Sequence, residues 1–236
     1  LLLRPGRARG PLEARRIALG TSVSVKLYDG RRLDAALLDT AYAQIARIEA
    51  QMSRYSDSSE ASRIEREAVG QDFGCSPEMA EVLGLCQLYA ARSAGRFDVT
   101  VGALTRLWGF PDARQPPAPA QIDSARALVG YRDLEVDGRR VRLRRSGVRL
   151  DLGAAAKGYA VDRAIARLQA LGVTAGLIEA GGDLRYWGSK ADGTPWRIGV
   201  QHPRDPGRFA RADDITVDLV TQIGTPSMGE FANLAA

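Results

Sequence analysis

Residues Asp151 to Asp162 read DLGAAAKGYAVD, and they concentrate the chemistry this chain could perform. A short β-prone run, Gly147 to Leu152, meets a glycine and three alanines, then Lys157, and continues as an amphipathic helix. The pattern places an acid, exposed backbone groups and a lysine at the mouth of a helix. Helix N-termini present unpaired N–H groups and the positive end of the dipole, which suits phosphate. Asp151 stands just before them and could hold a ribose hydroxyl, an adenine or a metal-bound water. Small side chains let a ligand approach the backbone closely. The plainer alternative is a strand–helix junction with an N-terminal acid and a surface lysine, and this stretch alone leaves the two readings even. It has neither the P-loop spacing nor the Rossmann fingerprint.

Three further segments gather small, polar and aromatic residues at element ends. They are Met52-Ser53-Arg54-Tyr55 with Ser59 to Arg63, then Gly95-Arg96-Phe97-Asp98-Val99-Thr100-Val101-Gly102 running on to Trp108 and Phe110, and then Gly181-Gly182-Asp183. With Leu19-Gly20-Thr21 near the start, their order and spacing resemble the FAD:protein FMN transferase (ApbE) family from about Arg15 to Pro206.

Residue by residue, the resemblance implies FAD contacts at Leu19, Tyr55, Arg96, Phe97, Asp98, Asp151 and Lys157. It implies a main-chain carbonyl of Ala154 for Mg²⁺. Physical chemistry is compatible with this, because Mg²⁺ takes hard oxygen ligands plus substrate phosphates and a lysine suits a pyrophosphate. Tyr55 reads either as core or as a ring stacked on a flavin or adenine. Phe97 on its own reads as core, and so does Trp108. Asp98 beside apolar residues needs a partner, a backbone cap or a ligand. Gly181-Gly182-Asp183 reads as a hairpin turn that the family also carries, a lower-grade site. His202, the one histidine, does not fall on the family's downstream His-x-x-Asp-Pro segment and inherits no role.

The elements that position these residues follow from periodicity. Arg16 to Tyr28 alternates as a strand, and Asp29-Gly30 is a turn. Leu33 to Met52 is a long helix with Leu37, Ala41, Ile45 and Ile48 near helical spacing. Ser59 or Ser62 caps a short helix. Ser76-Pro77 opens another, with Val82, Leu83, Cys86 and Tyr89 on its apolar face, stopping at Gly95. Pro111 to Pro119 is a loop, Ile122 to Val129 a short helix, and Leu134 to Leu152 two or three strands. Val161 to Leu171 is helical, Ala175 to Tyr186 is strand–turn–strand, and Trp196 to Val200 is a strand that Pro203 to Pro206 breaks. Helices are interspersed irregularly among paired strands, so the fold class is α+β rather than doubly wound. The resemblance adds an ApbE-like, T-fold-related arrangement of mixed sheets with packed helices. Residues 1–14 are expected to be loose, 15–208 to form the FAD-binding transferase domain, and 209–236 a divergent tail.

The bulk properties exclude little. The chain has 236 residues, 45% hydrophobic and 26% charged, as in an ordinary globular protein. The net charge is +5 and the pI about 9.5, carried mainly by scattered arginines. The densest run, RRVRLRRSGVRL from Arg139, alternates with apolar residues and reads as a hairpin with one solvated basic face. Aromatic interleaving is missing, so nucleic acid is not an expected partner. Cys75 and Cys86 read as buried free thiols. No stretch is long and apolar enough to be a transmembrane segment.

After about Arg208 the sequence departs from the family pattern. Members continue with Ser-Gly-Asp-Tyr, His-x-x-Asp-Pro-x-Thr-Gly and Ala-Asp-Ala-x-x-Thr, whose last Asp and Thr complete the Mg²⁺ site; Phe209 to Ala236 holds none of these. The expectation is an interrupted chain lacking the C-terminal strands, with Ile215 to Val220 able to form a strand, and no catalytic residue is assigned. The activity the resemblance implies is Mg²⁺-dependent transfer of FMN from FAD to a Thr or Ser hydroxyl, releasing AMP. The implied acceptor is a flavoprotein subunit of a membrane redox complex, and the implied location is periplasmic or at the outer face of the cytoplasmic membrane. A non-catalytic FAD-binding remnant is the alternative.

Overall fold

The computed structural model describes residues 10–28, 33–109, 115–190, 193–196, 198, 200–202 and 205–210. Expectations for the first nine residues, Asp29-Gly30, Phe110 and the start of the Pro-rich loop, Pro203, and everything after Ala210 lie outside them. The chain divides into two compact units. One is contiguous, Arg47–Ala156; the other is formed by the residues up to Ala46 and from Lys157 onward.

The discontinuous unit is built on a four-stranded antiparallel sheet in the order β1 (Leu12–Ala18), β2 (Thr21–Leu27), β6 (Gly176–Ala180), β7 (Asp183–Trp187). The expected strand Arg16 to Tyr28 is therefore a hairpin. It turns at Leu19-Gly20, where both residues have positive φ (54° and 68°), the conformation that suits a two-residue turn to the twist of the strands. β1 begins at Leu12, inside the segment expected to be loose. Val23, Val25 and Leu27 alternate along β2 and are fully buried. Helix α1 (Ala36–Met52) buries Leu38, Ala41, Tyr42 and Ile45, and the Tyr42 hydroxyl reaches the carbonyls of Ala14 and Val23, both at 2.9 Å. The buried stripe uses Leu38 where Leu37 is expected. Helix α6 (Gly153–Ala170) buries Tyr159, Ala164, Ile165 and Leu168. A final hairpin pairs β8 (Val200–His202) with β9 (Asp205–Ala210), so the strand expected from Trp196 starts later and ends at His202, while Pro206 lies in the antiparallel strand that follows.

The contiguous unit carries helices α2 (Glu60–Glu67), α3 (Pro77–Arg92), α4 (Gly102–Trp108) and α5 (Pro119–Arg126), with a small antiparallel sheet ordered β3 (Phe73–Gly74), β5 (Arg140–Leu143), β4 (Leu134–Asp137). The caps follow the sequence: the Ser59 side chain accepts the Ser62 amide, and the Ser76 side chain accepts that of Met79 with Pro77 following. Met79, Val82, Leu83, Cys86 and Ala90 form the core face of α3, while Tyr89 is only half-buried. Helix α4 has no counterpart in the expected elements, and its Trp108 is half-exposed, not core. Arg140, Arg142 and Arg144 are exposed and alternate with buried Val141 and Leu143, the expected basic face. Gly147 to Leu152 is not a strand; a single parallel bridge joins Arg149 to Val101. Cys75 and Cys86 are buried free thiols. No described helix is long and apolar enough to cross a membrane.

Candidate functional site

In the contiguous unit, three successive backbone positions before α6 are pinned. The Arg149 carbonyl accepts the Gly102 amide at 3.0 Å, and the Asp151 amide donates to the Val99 carbonyl at 2.7 Å. Between them the Leu150 amide donates to Glu65 Oε1 at 2.7 Å. The Gly95 to Gly102 segment and the run up to Asp151 are thus locked side by side, far apart in sequence. Gly102 is glycine because a Cβ there would lie 2.5 Å from the Arg149 carbonyl oxygen.

This scaffold presents Asp151 at the start of α6. One carboxylate oxygen accepts the Gly153 amide at 2.9 Å; the other lies 3.4 Å from Arg54 Nε, and the side chain is 15% exposed. The Arg54 guanidinium also lies over the Tyr55 ring, 4.2 Å from its centroid, and donates to the Tyr55 hydroxyl at 2.6 Å. Tyr55 is 75% exposed, which excludes the core reading and leaves a flat ring presented outward, backed by a cation. Asp151, Arg54 and Tyr55 therefore form one cluster.

Asp98 takes the capping alternative. Its Oδ1 accepts the Thr100 amide and hydroxyl at 2.8 and 2.6 Å, and its Oδ2 accepts the Tyr131 amide at 2.8 Å. Thr100, fully buried, accepts in turn from the Gly130 amide. Asp98 shapes the loop beside Asp151. Arg96 is exposed on that loop and Phe97 half-buried, its amide donating to Ser93 Oγ at 3.0 Å. The turn leading in holds Ala94 at φ 53°, one of two described non-glycine residues with positive φ; the other is Leu19.

The amides at the mouth of α6 are largely consumed. Gly153 donates to Asp151, while Ala155 and Ala156 both donate to the Leu152 carbonyl. The open anion cradle expected there is mostly closed by the chain itself. Ala154 is exposed in the first turn. Among the described residues, no three His, Cys, Asp or Glu side chains gather to hold a metal ion, so Ala154 has no carboxylate cluster around it.

In the discontinuous unit, the turns of β1–β2 and β6–β7 share one end of the sheet. The Gly181 amide donates to the Ser22 carbonyl, and a Cβ at Gly181 would stand 2.4 Å from Thr21 Oγ1, which only glycine avoids. The Gly182 amide donates to Glu179 at 2.8 Å. Lys157 is not a plain surface lysine: its Nζ lies 3.1 Å from Asp183 Oδ2. Leu19, the Gly181-Gly182-Asp183 turn and Lys157 therefore belong to one end of this unit. His202 has its backbone in β8, on the separate hairpin.

Glu65, Arg54 and Arg106 carry weight that the sequence reading did not assign them. The signal for Glu65 was present: it falls on the same helical stripe as Ala61, Ile64 and Ala68, where an acid must find partners.

The ApbE family model matches residues 19–226, beginning at Leu19 and continuing past residue 208. An FAD:protein FMN transferase of Vibrio cholerae is 31% identical over 190 residues, covering 78% of this chain and 57% of the relative. One of Haemophilus influenzae is 30% identical over 224 residues, covering 90% and 64%. The chain thus spans less than two thirds of either relative. Among solved structures, the ApbE protein of Thermotoga maritima superimposes with a TM-score of 0.77 at 31% identity, over 83% of this chain and 65% of the other. Pseudomonas stutzeri flavinyl transferase ApbE gives 0.73 at 33% identity, over 80% and 65%. Carrying the family's motifs on an α+β fold that superimposes on its solved members, this chain belongs to the ApbE family.

Proposed function

We propose that this chain is the flavin-binding part of an FAD:protein FMN transferase. FAD is the substrate, and a Thr or Ser hydroxyl of an acceptor flavoprotein attacks the FMN-side phosphorus. The new P–O bond leaves FMN on the acceptor as a phosphoester, the P–O bond to AMP breaks, and AMP leaves. The observation that carries this reading is the Asp151, Arg54 and Tyr55 cluster: a fixed carboxylate beside an outward aromatic ring, at family motif positions. The Asp151 oxygens keep acceptor capacity for a hydroxyl or amine after binding Gly153 and Arg54. Tyr55 offers a stacking face for a flat heterocycle, and Lys157, oriented by Asp183, offers a cation.

Mg²⁺ belongs to this reading as the ion that neutralises phosphate charge. The Ala154 carbonyl is the donor the family motif supplies, and the described side chains add no cluster to complete a shell. The alternative reading is an FAD-binding chain without transferase activity. The acceptor as a subunit of a membrane redox complex, and an outer-face or periplasmic location, are part of the first reading. Both readings are separated by incubating the chain with FAD, Mg²⁺ and an acceptor domain and measuring AMP release and FMN on the acceptor, with Asp151→Ala beside it. Transfer that Asp151→Ala abolishes supports the transferase; FAD binding without AMP at any Mg²⁺ concentration supports the binder; no FAD binding refutes both.

A further inference from the structure

Glu65 is 7% exposed on the core face of α2, among Ala61, Ile64 and Ala68. A carboxylate there loses hydration, and an apolar residue of similar shape would serve the core at less cost. What Glu65 supplies is specific. Its Oε2 and Oε1 accept the two Arg106 nitrogens, each at 2.9 Å, and Arg149 Nε stands 3.8 Å away. The fork fixes the carboxylate plane, so that Oε1 meets the Leu150 amide at 2.7 Å. Leu150 is the residue before Asp151. The carbonyl on one side of it and the amide on the other are held by Gly102 and Val99. Glu65 supplies the only one of these three anchors that comes from a side chain.

We infer that Glu65, oriented by Arg106, is a positioning residue that sets where Asp151 presents its carboxylate. This rests on the flavin-binding role proposed for Asp151. Misplacing a binding group by about 1 Å can cost on the order of a hundredfold, so a backbone anchor adjacent to Asp151 acts at a distance from the ligand.

The test is FAD titration of the full chain, followed by flavin fluorescence, for wild type, Glu65→Gln, Asp151→Ala and the double variant. Glutamine keeps an oxygen for Leu150 but turns an N–H₂ toward Arg106. Glu65→Gln should weaken FAD binding about tenfold, the effect of one charged hydrogen bond. The double variant should bind no more weakly than Asp151→Ala alone. Losses that multiply, or a folded Glu65→Gln with wild-type affinity, overturn the inference. Arg106→Lys, at a half-buried position, carries the same comparison if Glu65→Gln does not fold, with a smaller loss of the same sign. Amide hydrogen exchange at Leu150 and Asp151 runs alongside and should lose protection in both variants; unchanged exchange overturns the inference whatever FAD does. A wild-type chain that binds no FAD, yet whose exchange still follows Glu65, refutes the flavin reading and leaves Glu65 as an anchor without a ligand to serve.

Discussion

Replacing Gly102 by alanine tests the locked segment by a route that leaves Glu65 untouched. The new Cβ would stand 2.5 Å from the Arg149 carbonyl oxygen, 2.6 Å from its carbon and 2.9 Å from the Leu150 carbonyl carbon. All three are backbone atoms, so no side chain can swing aside. Relief requires the two segments to part, and the 3.0 Å bond from the Gly102 amide to that same oxygen then lengthens beyond hydrogen-bond range. Overpacking costs about 1–3 kcal/mol, and the lost hydrogen bond about 1 kcal/mol more. Alanine returns up to about 1 kcal/mol by its helix preference at the start of α4. The net expectation is a loss of about 1–3 kcal/mol, or roughly 2–12 °C in Tm at about 2–4 °C per kcal/mol. Urea unfolding measures it, with Gly84→Ala as the control. Gly84 lies in α3 with nothing within 4 Å of the added Cβ, so that substitution should stabilise by about 0.5–1 kcal/mol. Gly102→Ala within about 0.5 kcal/mol of wild type would refute the reasoning, because surface-like tolerance means the segments are not locked.

Leu19→Asn should stabilise the chain by about 0.5–1 kcal/mol in denaturant titration, since asparagine tolerates the left-handed conformation that costs other residues about 1–2 kcal/mol. If the Leu19 side chain touches FAD as the family resemblance implies, the same variant should lose affinity while gaining stability, the signature of strain kept for function. Burial pushes the Cys86 thiol up to about 12. In the unfolded chain it ionises near its ordinary value of about 8.5. The folded pKa is the raised one, so its stabilising share is complete below about pH 8.5 and falls by about 1.4 kcal/mol per pH unit above it, up to about pH 12. Unfolding measured at pH 8 and pH 10 should show a steeper loss for wild type than for Cys86→Ala; parallel slopes would contradict the burial argument.

Much of the fold was legible because it rests on local signals. Ser59 and Ser76 announce helix starts by a side-chain acceptor three residues ahead of a needy amide, and both were readable. The arginine run with its alternating Val and Leu marks strand β5 and its basic face, although the hairpin it forms with β4 turns ahead of the run rather than within it. The β1–β2 turn was not legible, because Leu19 occupies a conformation that sequence rules reserve for glycine and asparagine. Helix α4 was missed because Val101 offers no side-chain cap, leaving Gly102 to look like the end of a turn. In the site, motif order singled out Tyr55 and Asp151, but not the exposure of Tyr55 or the distant partner of Asp98. Those depend on Tyr131 reaching Asp98 and Arg54 reaching Asp151, which happens only after distant loops are brought together. Glu65 escaped notice because its meaning lies in the Leu150 amide.

The sheet order carries a consequence in time. On a ribosome the β1–β2 hairpin can close early, yet Val23 finds its β6 partner only once Ala180 has been made. At about 5–20 residues per second that wait is roughly 8–30 s. Arg47–Ala156, a contiguous unit, is synthesised in the interval and can fold first. Throughout, the far side of β2 is an unpaired edge carrying Val23, Val25 and Leu27. The vulnerability of this fold is therefore a period of synthesis, and slowing translation between Arg47 and Ala180 should lower soluble yield more than slowing it elsewhere.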